Sequence, residues 1–231
     1  ASEGAPSLVL VSYFAMLIKN LVRAMRLYRL GGGITLFGNG MMFPWSVFLE
    51  LDLSTSETVE DLGMALSLAL AGTKVHFDEH LLVTSPAAQL ADSLGQRRRW
   101  EHGFMAHAVR IALPLLFLGA VRRSRHLVAL GAHMLVPPLA LLFLLGAAAV
   151  VPALAAAFYG DPGPAALLLC AFAFAIAAIG VAWTLHGRSA LPWRALLRAP
   201  FYVLWKIPFY MGLISAREKE WNRTRRANEK N

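Results

Sequence analysis

Charge is scarce in this chain of 231 residues: charged side chains make up 16% and hydrophobic ones 57%. That balance excludes an ordinary soluble domain. The scarcity is also local. No Lys or Arg occurs between Arg125 and Arg188, while basic residues flank that gap on both sides. The net charge of +8 therefore reads as a membrane-topology signal. No interleaving of aromatic and basic residues marks a nucleic-acid face, so nucleic acid is not an expected partner. Cysteine falls to one, Cys170, within an apolar run. A lone cysteine makes no intramolecular disulfide and no zinc site, and is expected to pack as a small hydrophobe. A secretory leader is not evident. Leu8 to Ile18 is apolar, but Glu3 precedes it in place of a basic cluster, and no small-residue cleavage site follows.

What is present falls into segments. Leu8 to Leu30 reads as a helix, with Lys19, Arg23, Arg26 and Arg29 recurring every three or four residues on one face. Such a helix either lies on an anionic membrane surface or packs on a domain with its basic face in water. Gly31-Gly32-Gly33 breaks it, and an apparent strand, Ile34 to Phe37, follows. That order is wrong for a phosphate-binding glycine loop, which needs a strand before and a helix after. Gly38-Asn39-Gly40 comes next, either a plain turn or a close backbone approach to a ligand. A helix is expected to start over Glu57 to Asp61, with Thr58 as its cap, and to run through Leu70. Val75 to Phe77 and Leu81 to Thr84 look like short strand. His76, Asp78, Glu79 and His80 do not have metal-ligand spacing, because alternation along a strand sends neighbours to opposite faces.

Ala87 to Arg110 reads as a helix carrying Gln96-Arg97-Arg98-Arg99-Trp100, with Gly95 as a place where it can be interrupted. On a helix, Gln96, Arg99 and Trp100 are i, i+3 and i+4 and share a face. Guanidinium groups grip phosphate oxygens in a planar fork, and an indole offers a flat face to a sugar ring. His102 and His107 are expected as helix-surface or interfacial residues. Ile111 to Val121 is too short to span and suits an interfacial helix between Arg110 and the Arg122, Arg123, Arg125 cluster. Two uncharged runs follow, each long enough to cross, at about 130–158 and 164–186, joined by a turn at Gly160-Asp161-Pro162-Gly163. Ala173, Ala177 and Gly180 recur by helix turns, which suits close helix packing. Ala199 to Ala216 holds Lys206 in mid-run and is read as interfacial.

The ordered set of Gly38-Asn39-Gly40, Glu60-Asp61 and Gln96-x-x-Arg99-Trp100 ahead of hydrophobic spans resembles the membrane-embedded family 2 glycosyltransferases. These include cellulose, chitin and hyaluronan synthases, with an acidic "ED" motif followed by "Q-x-x-R-W". The run from Pro200 through Lys206 and Tyr210 to Trp221-Asn222-Arg223-Thr224 is similar to the tail of bacterial members. The resemblance implies that Asp61 is the base, with Glu60 supporting it. It assigns Gln96 and Arg99 to the nucleotide diphosphate, and Trp100 with Gly38, Asn39 and Gly40 to the acceptor sugar. Glu60 and Asp61 also fit helix capping, where first-turn acids oppose the helix dipole.

The resemblance implies an α/β fold plus membrane α-helices. Residues 1–110 would be the C-terminal half of a GT-A, Rossmann-like catalytic domain, and 111–231 a membrane region with interfacial helices and two spans. Family members hold Mg2+ or Mn2+ on an upstream D-x-D pair. The aspartates here are Asp52, Asp61, Asp78, Asp92 and Asp161, and none forms that pair. No metal ligands are therefore assigned, and the chain is expected to be a fragment whose donor-binding, N-terminal half lies elsewhere. The expected partners are a nucleotide-sugar donor, a polysaccharide or glycolipid acceptor, and membrane lipids. The expected place is the bacterial inner membrane, multi-pass, with the catalytic part and C-terminus cytoplasmic. The rival expectation is a non-catalytic membrane scaffold whose basic turns bind anionic lipid.

Overall fold

The computed structural model describes residues 7–32, 34–38, 40–51, 59–81, 83 and 90–215, with backbone alone for 90–99 and 213–215. In chain order, α1 (Ser7–Leu17) passes through a π-helical stretch (Ile18–Arg23) into α2 (Ala24–Arg29). Then come α3 (Trp45–Leu49), α4 (Glu60–Leu70), α5 (Leu90–Val121), α6 (Arg125–Leu135) and α7 (Leu139–Phe158). After α8 (Gly163–Ala182) and a second π-helical stretch (Trp183–Gly187), α9 (Trp193–Leu196), α10 (Ala199–Trp205) and α11 (Ile207–Ser215) complete the set. Two compact units share the chain: Ala1–Val22 with Pro137–Gly212, and Arg23–Val136 with Leu213–Asn231.

No strand occurs among the described residues, so the α/β expectation is not met there. Ile34 to Phe37 and Val75 to Phe77 are irregular backbone. Both have strand-like side chains, but a strand also needs a neighbouring edge for its N–H and C=O groups. They pack by side chain instead: Ile34 joins Ala24 and Leu27 of α2, with Phe37, Val75, Phe77 and Ala129 against them.

The core of this unit is a stack of α4, α5 and α6. Val59, Leu62, Leu66 and Ala69 meet Ala108, Ala112 and Leu115 of α5 and Leu127, Leu130 and Met134 of α6. Each fully buried aliphatic side chain contributes roughly 1.5–3 kcal/mol. The α5–α6 hairpin closes tightly because glycines stand at its crossing points. A β-carbon on Gly119 would lie 2.7 Å from the Val128 amide nitrogen, and one on Gly131 would lie 2.9 Å from that of Leu116. The connecting turn puts Arg123 at φ 51°, and the Ser124 hydroxyl accepts the Leu127 N–H at 3.4 Å, capping α6.

α5 differs from expectation. It is one helix of 32 residues, unbroken at Gly95 and continuous through residue 110, with Pro114 inside it. The separate interfacial helix over Ile111 to Val121 is therefore its last third, and the expected domain boundary at 110 falls within it.

In the other unit, α7 and α8 form a hairpin. Its contact is made by Phe172 over Gly146 and Phe143, the two rings 5.7 Å apart. Ala173 and Ala177 are exposed and nothing lies near Gly180, so the small-residue stripe does not make this contact. Cys170 is also exposed rather than packed inside. α1 packs on α9 and α10, with Ser12 and Tyr202 hydroxyls 3.1 Å apart and buried. Trp183 donates its indole N–H to the Leu191 carbonyl at 2.8 Å. Lys206 separates α10 and α11, which have 7 and 9 residues and are each too short to cross a bilayer.

Among the described residues, four helices are long and apolar enough to cross a membrane: Ser7–Arg29, Trp100–Val121, Leu139–Phe158 and Gly163–Gly187. Gly163–Gly187 overlaps the second expected span, and Leu139–Phe158 covers only part of the first, since 130–135 belong to α6. Of the other two, Ser7–Arg29 was expected either on the membrane surface or packed on a domain, and Trp100–Val121 joins the end of an expected catalytic-domain helix to a segment, Ile111 to Val121, that looked too short to span alone.

Candidate active site

The geometry is built on the start of α4. Val59 holds the cap position with φ −136° and ψ 71°, and its apolar side chain makes no cap bond. Thr58 lies outside the described residues. Glu60 and Asp61 thus form the first turn, where their negative charge opposes the partial positive charge of the free N–H groups. The inward side of α4 is Leu62, Ala65, Leu66 and Ala69, all buried. Glu60 is exposed and Asp61 is half-buried. Asp61 Oδ1 accepts the Leu62 N–H at 2.8 Å. That leaves Oδ2 directed toward residue 38: a β-carbon on Gly38 would lie 3.5 Å from it. The Gly38 backbone therefore runs alongside the carboxylate, 23 positions away in sequence. Gly40 sits at φ 69°, and a β-carbon there would run into Val83. Left-handed backbone and lack of space both require glycine at that position. Asn39 lies outside the described residues.

α5 carries the remaining expected site residues. Gly103 lets it approach α4, since a β-carbon there would collide with Val59. Positions 96, 99, 100 and 103 fall along one stripe of the helix, so Trp100 stands a turn before the point where α4 begins. Trp100 is half-buried. Gln96 and Arg99 lie on the backbone of this stripe, and their side chains are outside what is described. The structure thus runs the Gly38 backbone past the Asp61 carboxylate and seats the start of α4 on α5 a turn after Trp100.

One of the two histidines expected at the surface of α5, His102, departs from that expectation, while half-buried His107 does not. His102 is buried, and His107 donates from its ring to the Gly103 carbonyl at 3.0 Å. On α6, His126 is buried, and burial followed by the nearby Lys74 cation lowers its pKa below 6.5. His133 lies 3.3 Å from Arg23 Nη2 and edge-on to Phe104. Sequence reasoning had a usable signal for His126 alone: it lies four positions before Leu130 and eight before Met134, on the face of α6 that those two residues define.

A concavity of about 340 Å³ lies between α2 and residues 77–80, away from the residues expected at the site. Its polar groups are engaged locally. Arg29 pairs with Glu79 at 3.3 Å, Tyr28 Oη with His76 Nδ1 at 3.1 Å, and Asp78 accepts the His80 N–H at 2.9 Å. Among the described residues, no group of three or more His, Cys, Asp or Glu is placed to hold a metal ion.

The profile of a family described as Glycosyl transferase family group 2 matches residues 9–186, which include every expected site residue. The tail from Pro200 to Thr224 lies beyond that match. No curated protein and no solved structure matches the chain.

Proposed function

The chain belongs to glycosyl transferase family group 2, and on that premise we propose that it forms the acceptor-side part of an inverting, membrane-bound transferase. The donor is a nucleotide-diphosphate sugar, and the acceptor is a growing polysaccharide or a glycolipid. The observation that carries this reading is the juxtaposition of the Gly38 backbone with Asp61, on a turn seated against α5 beside Trp100.

The chemistry follows from that juxtaposition. An acceptor hydroxyl oxygen attacks the anomeric carbon as the bond from that carbon to the diphosphate oxygen breaks. The electron pair leaves on the diphosphate, and the hydroxyl proton passes to the Asp61 carboxylate. In-line displacement inverts the anomeric centre. The Asp61 turn keeps one carboxylate oxygen bonded to the Leu62 amide and holds the other toward the Gly38 side. Glu60 supports that turn. Gln96 and Arg99 meet the charge that builds on the departing diphosphate, which is stabilisation of the transition state. Trp100 supplies the flat face for the acceptor ring, and Gly38, Asn39 and Gly40 line its approach.

The family resemblance implies Mg2+ or Mn2+. The described residues do not fit such a site, so no step is routed through a metal here. The protein is placed in a bacterial inner membrane, with α7 and α8 crossing and the site on the cytoplasmic side.

Asp61→Asn in the intact protein tests this. Loss of an acid–base group costs roughly 10²–10⁴ in rate, so transfer should fall by that factor while membrane insertion stays intact. Retained transfer overturns the assignment, as does equal loss of insertion. A scaffold reading draws on the exposed Arg122, Arg123 and Arg125 turn. Unchanged lipid binding with no transfer from any nucleotide sugar, measured on the intact protein, would favour it.

A further inference from the structure

The segment after Gly40 has no place in the mechanism above, yet its composition is unusual. Residues 41–49 read Met-Met-Phe-Pro-Trp-Ser-Val-Phe-Leu, without a charge. Met42, Trp45 and Leu49 are 84%, 70% and 66% exposed. Neither hydrophobic core of this unit includes them. Their order comes from one another: the Trp45 and Phe48 rings stack at 5.6 Å and 20°, and Phe43 leans on Phe48 at 6.2 Å. The segment begins three residues after Gly38, the residue whose backbone lies against Asp61.

We propose that residues 41–49 form an apolar lip of the acceptor site, and that the acceptor is an amphiphile whose hydrocarbon tail lies on the Trp45–Phe48 pair. This rests on the transferase reading and narrows its acceptor to a glycolipid. The composition selects the ligand. A sugar platform sets hydrogen-bonding groups around an aromatic face, whereas Ser46 is the one polar side chain among these nine. Methionine and stacked aromatics suit a flexible chain without fixed polar points. Position selects the source. The lip continues directly from the candidate acceptor segment, so a tail held there leaves its sugar headgroup at Gly38 and Asp61. A chain with four membrane-length helices meets such an acceptor in the bilayer that would hold it.

The test uses the intact protein in nanodiscs of phosphatidylethanolamine and phosphatidylglycerol. The probe is dodecyl β-glucoside with a diazirine at the tail end, and adducts are mapped by peptide mass. The expected result is saturable labelling within 41–49, displaced by unlabelled dodecyl glucoside. The Trp45→Ala/Phe48→Ala variant should lower it about tenfold, and Met42→Gln/Leu49→Gln should lower it in the same direction. A phosphatidylcholine carrying the diazirine on its acyl chain should label Leu139–Phe158 and not the lip. Equal labelling of the lip by that phospholipid overturns the proposal in favour of a bulk-membrane anchor. Absence of labelling by both probes overturns it in favour of a surface covered by protein. Asp61→Asn separates the two readings: transfer should fall by roughly 10²–10⁴, while labelling within 41–49 should remain saturable. Saturable labelling in a wild type that transfers no sugar keeps the lip and removes the enzyme.

Discussion

At position 38, glycine is not demanded by backbone strain, and a methyl group there would make an ordinary 3.5 Å contact with Asp61 Oδ2. Folding should therefore tolerate Gly38→Ala, with a stability change within about 0.5 kcal/mol. Transfer should not. The methyl would occupy the space from which a hydroxyl reaches the carboxylate, so transfer by the intact protein should drop about tenfold at unchanged melting temperature. Full activity in that variant would remove Gly38 from the acceptor site. His126 gives a second prediction of single-residue origin. Burial and the Lys74 cation hold its folded pKa below 6.5. The unfolded state therefore takes up the proton first as pH falls. The stability this residue contributes is complete above about pH 6.5 and is lost as pH drops through the lower, folded value. Thermal unfolding in detergent from pH 8 to pH 5 should show the decline, and His126→Gln should flatten it. An identical slope in the variant would place the acid sensitivity on other groups.

Glycines on the helices separate packing from mere composition. Gly119→Ala would push a methyl to 2.7 Å from the Val128 amide nitrogen, a backbone atom that cannot swing away. Overpacking of this kind costs about 1–3 kcal/mol. Gly180→Ala, with nothing within 4 Å, should gain roughly 0.5–1 kcal/mol from helix propensity. Melting temperatures of the two variants should thus move in opposite directions, and a shared direction would show that α5–α6 relaxes around Gly119. The same contrast explains what could be read from sequence. α7 and α8 were legible because long uncharged runs and a Gly160–Gly163 turn have one common solution, a helical hairpin. The Ala173, Ala177, Gly180 stripe was misread because spacing says which residues share a face, not which face meets a neighbour. Ile34 to Phe37 and Val75 to Phe77 were misread because strand propensity is only half of a strand. The continuity of α5 was hidden by Gly95 and Arg110, which look like breaks locally; Ala108, Ala112 and Leu115 then fix the helix by burial against α6. At the site, the Gln96, Arg99, Trp100 stripe was legible from helix periodicity. The approach of Gly38 to Asp61 was not, since no local pattern records a contact between residues so far apart in sequence.

Across the whole molecule, charge decides which side of the membrane each end of the α7–α8 hairpin takes. Arg122, Arg123 and Arg125 precede it, Arg188, Arg194 and Arg198 follow it, and its turn carries Asp161 alone. Basic residues within about 15–20 positions of a span stay cytoplasmic, so the turn should face out and both flanks in. The C-terminal stretch does not reverse this. Its helices α10 and α11 have 7 and 9 residues, divided at Lys206, which is 2% exposed with its ammonium 4.2 Å from the Phe209 ring centre. A cation held by ring faces in this way is partly compensated for its loss of water, and neither short helix carries the chain back across. Fusions of alkaline phosphatase should therefore be active after Asp161 and inactive after Asn231, with a fluorescent protein giving the opposite pattern. Phosphatase activity after Asn231 would mean that 199–215 crosses. It would also place Arg217, Lys219, Arg223, Arg225 and Arg226 outside, against the charge rule that orients the rest.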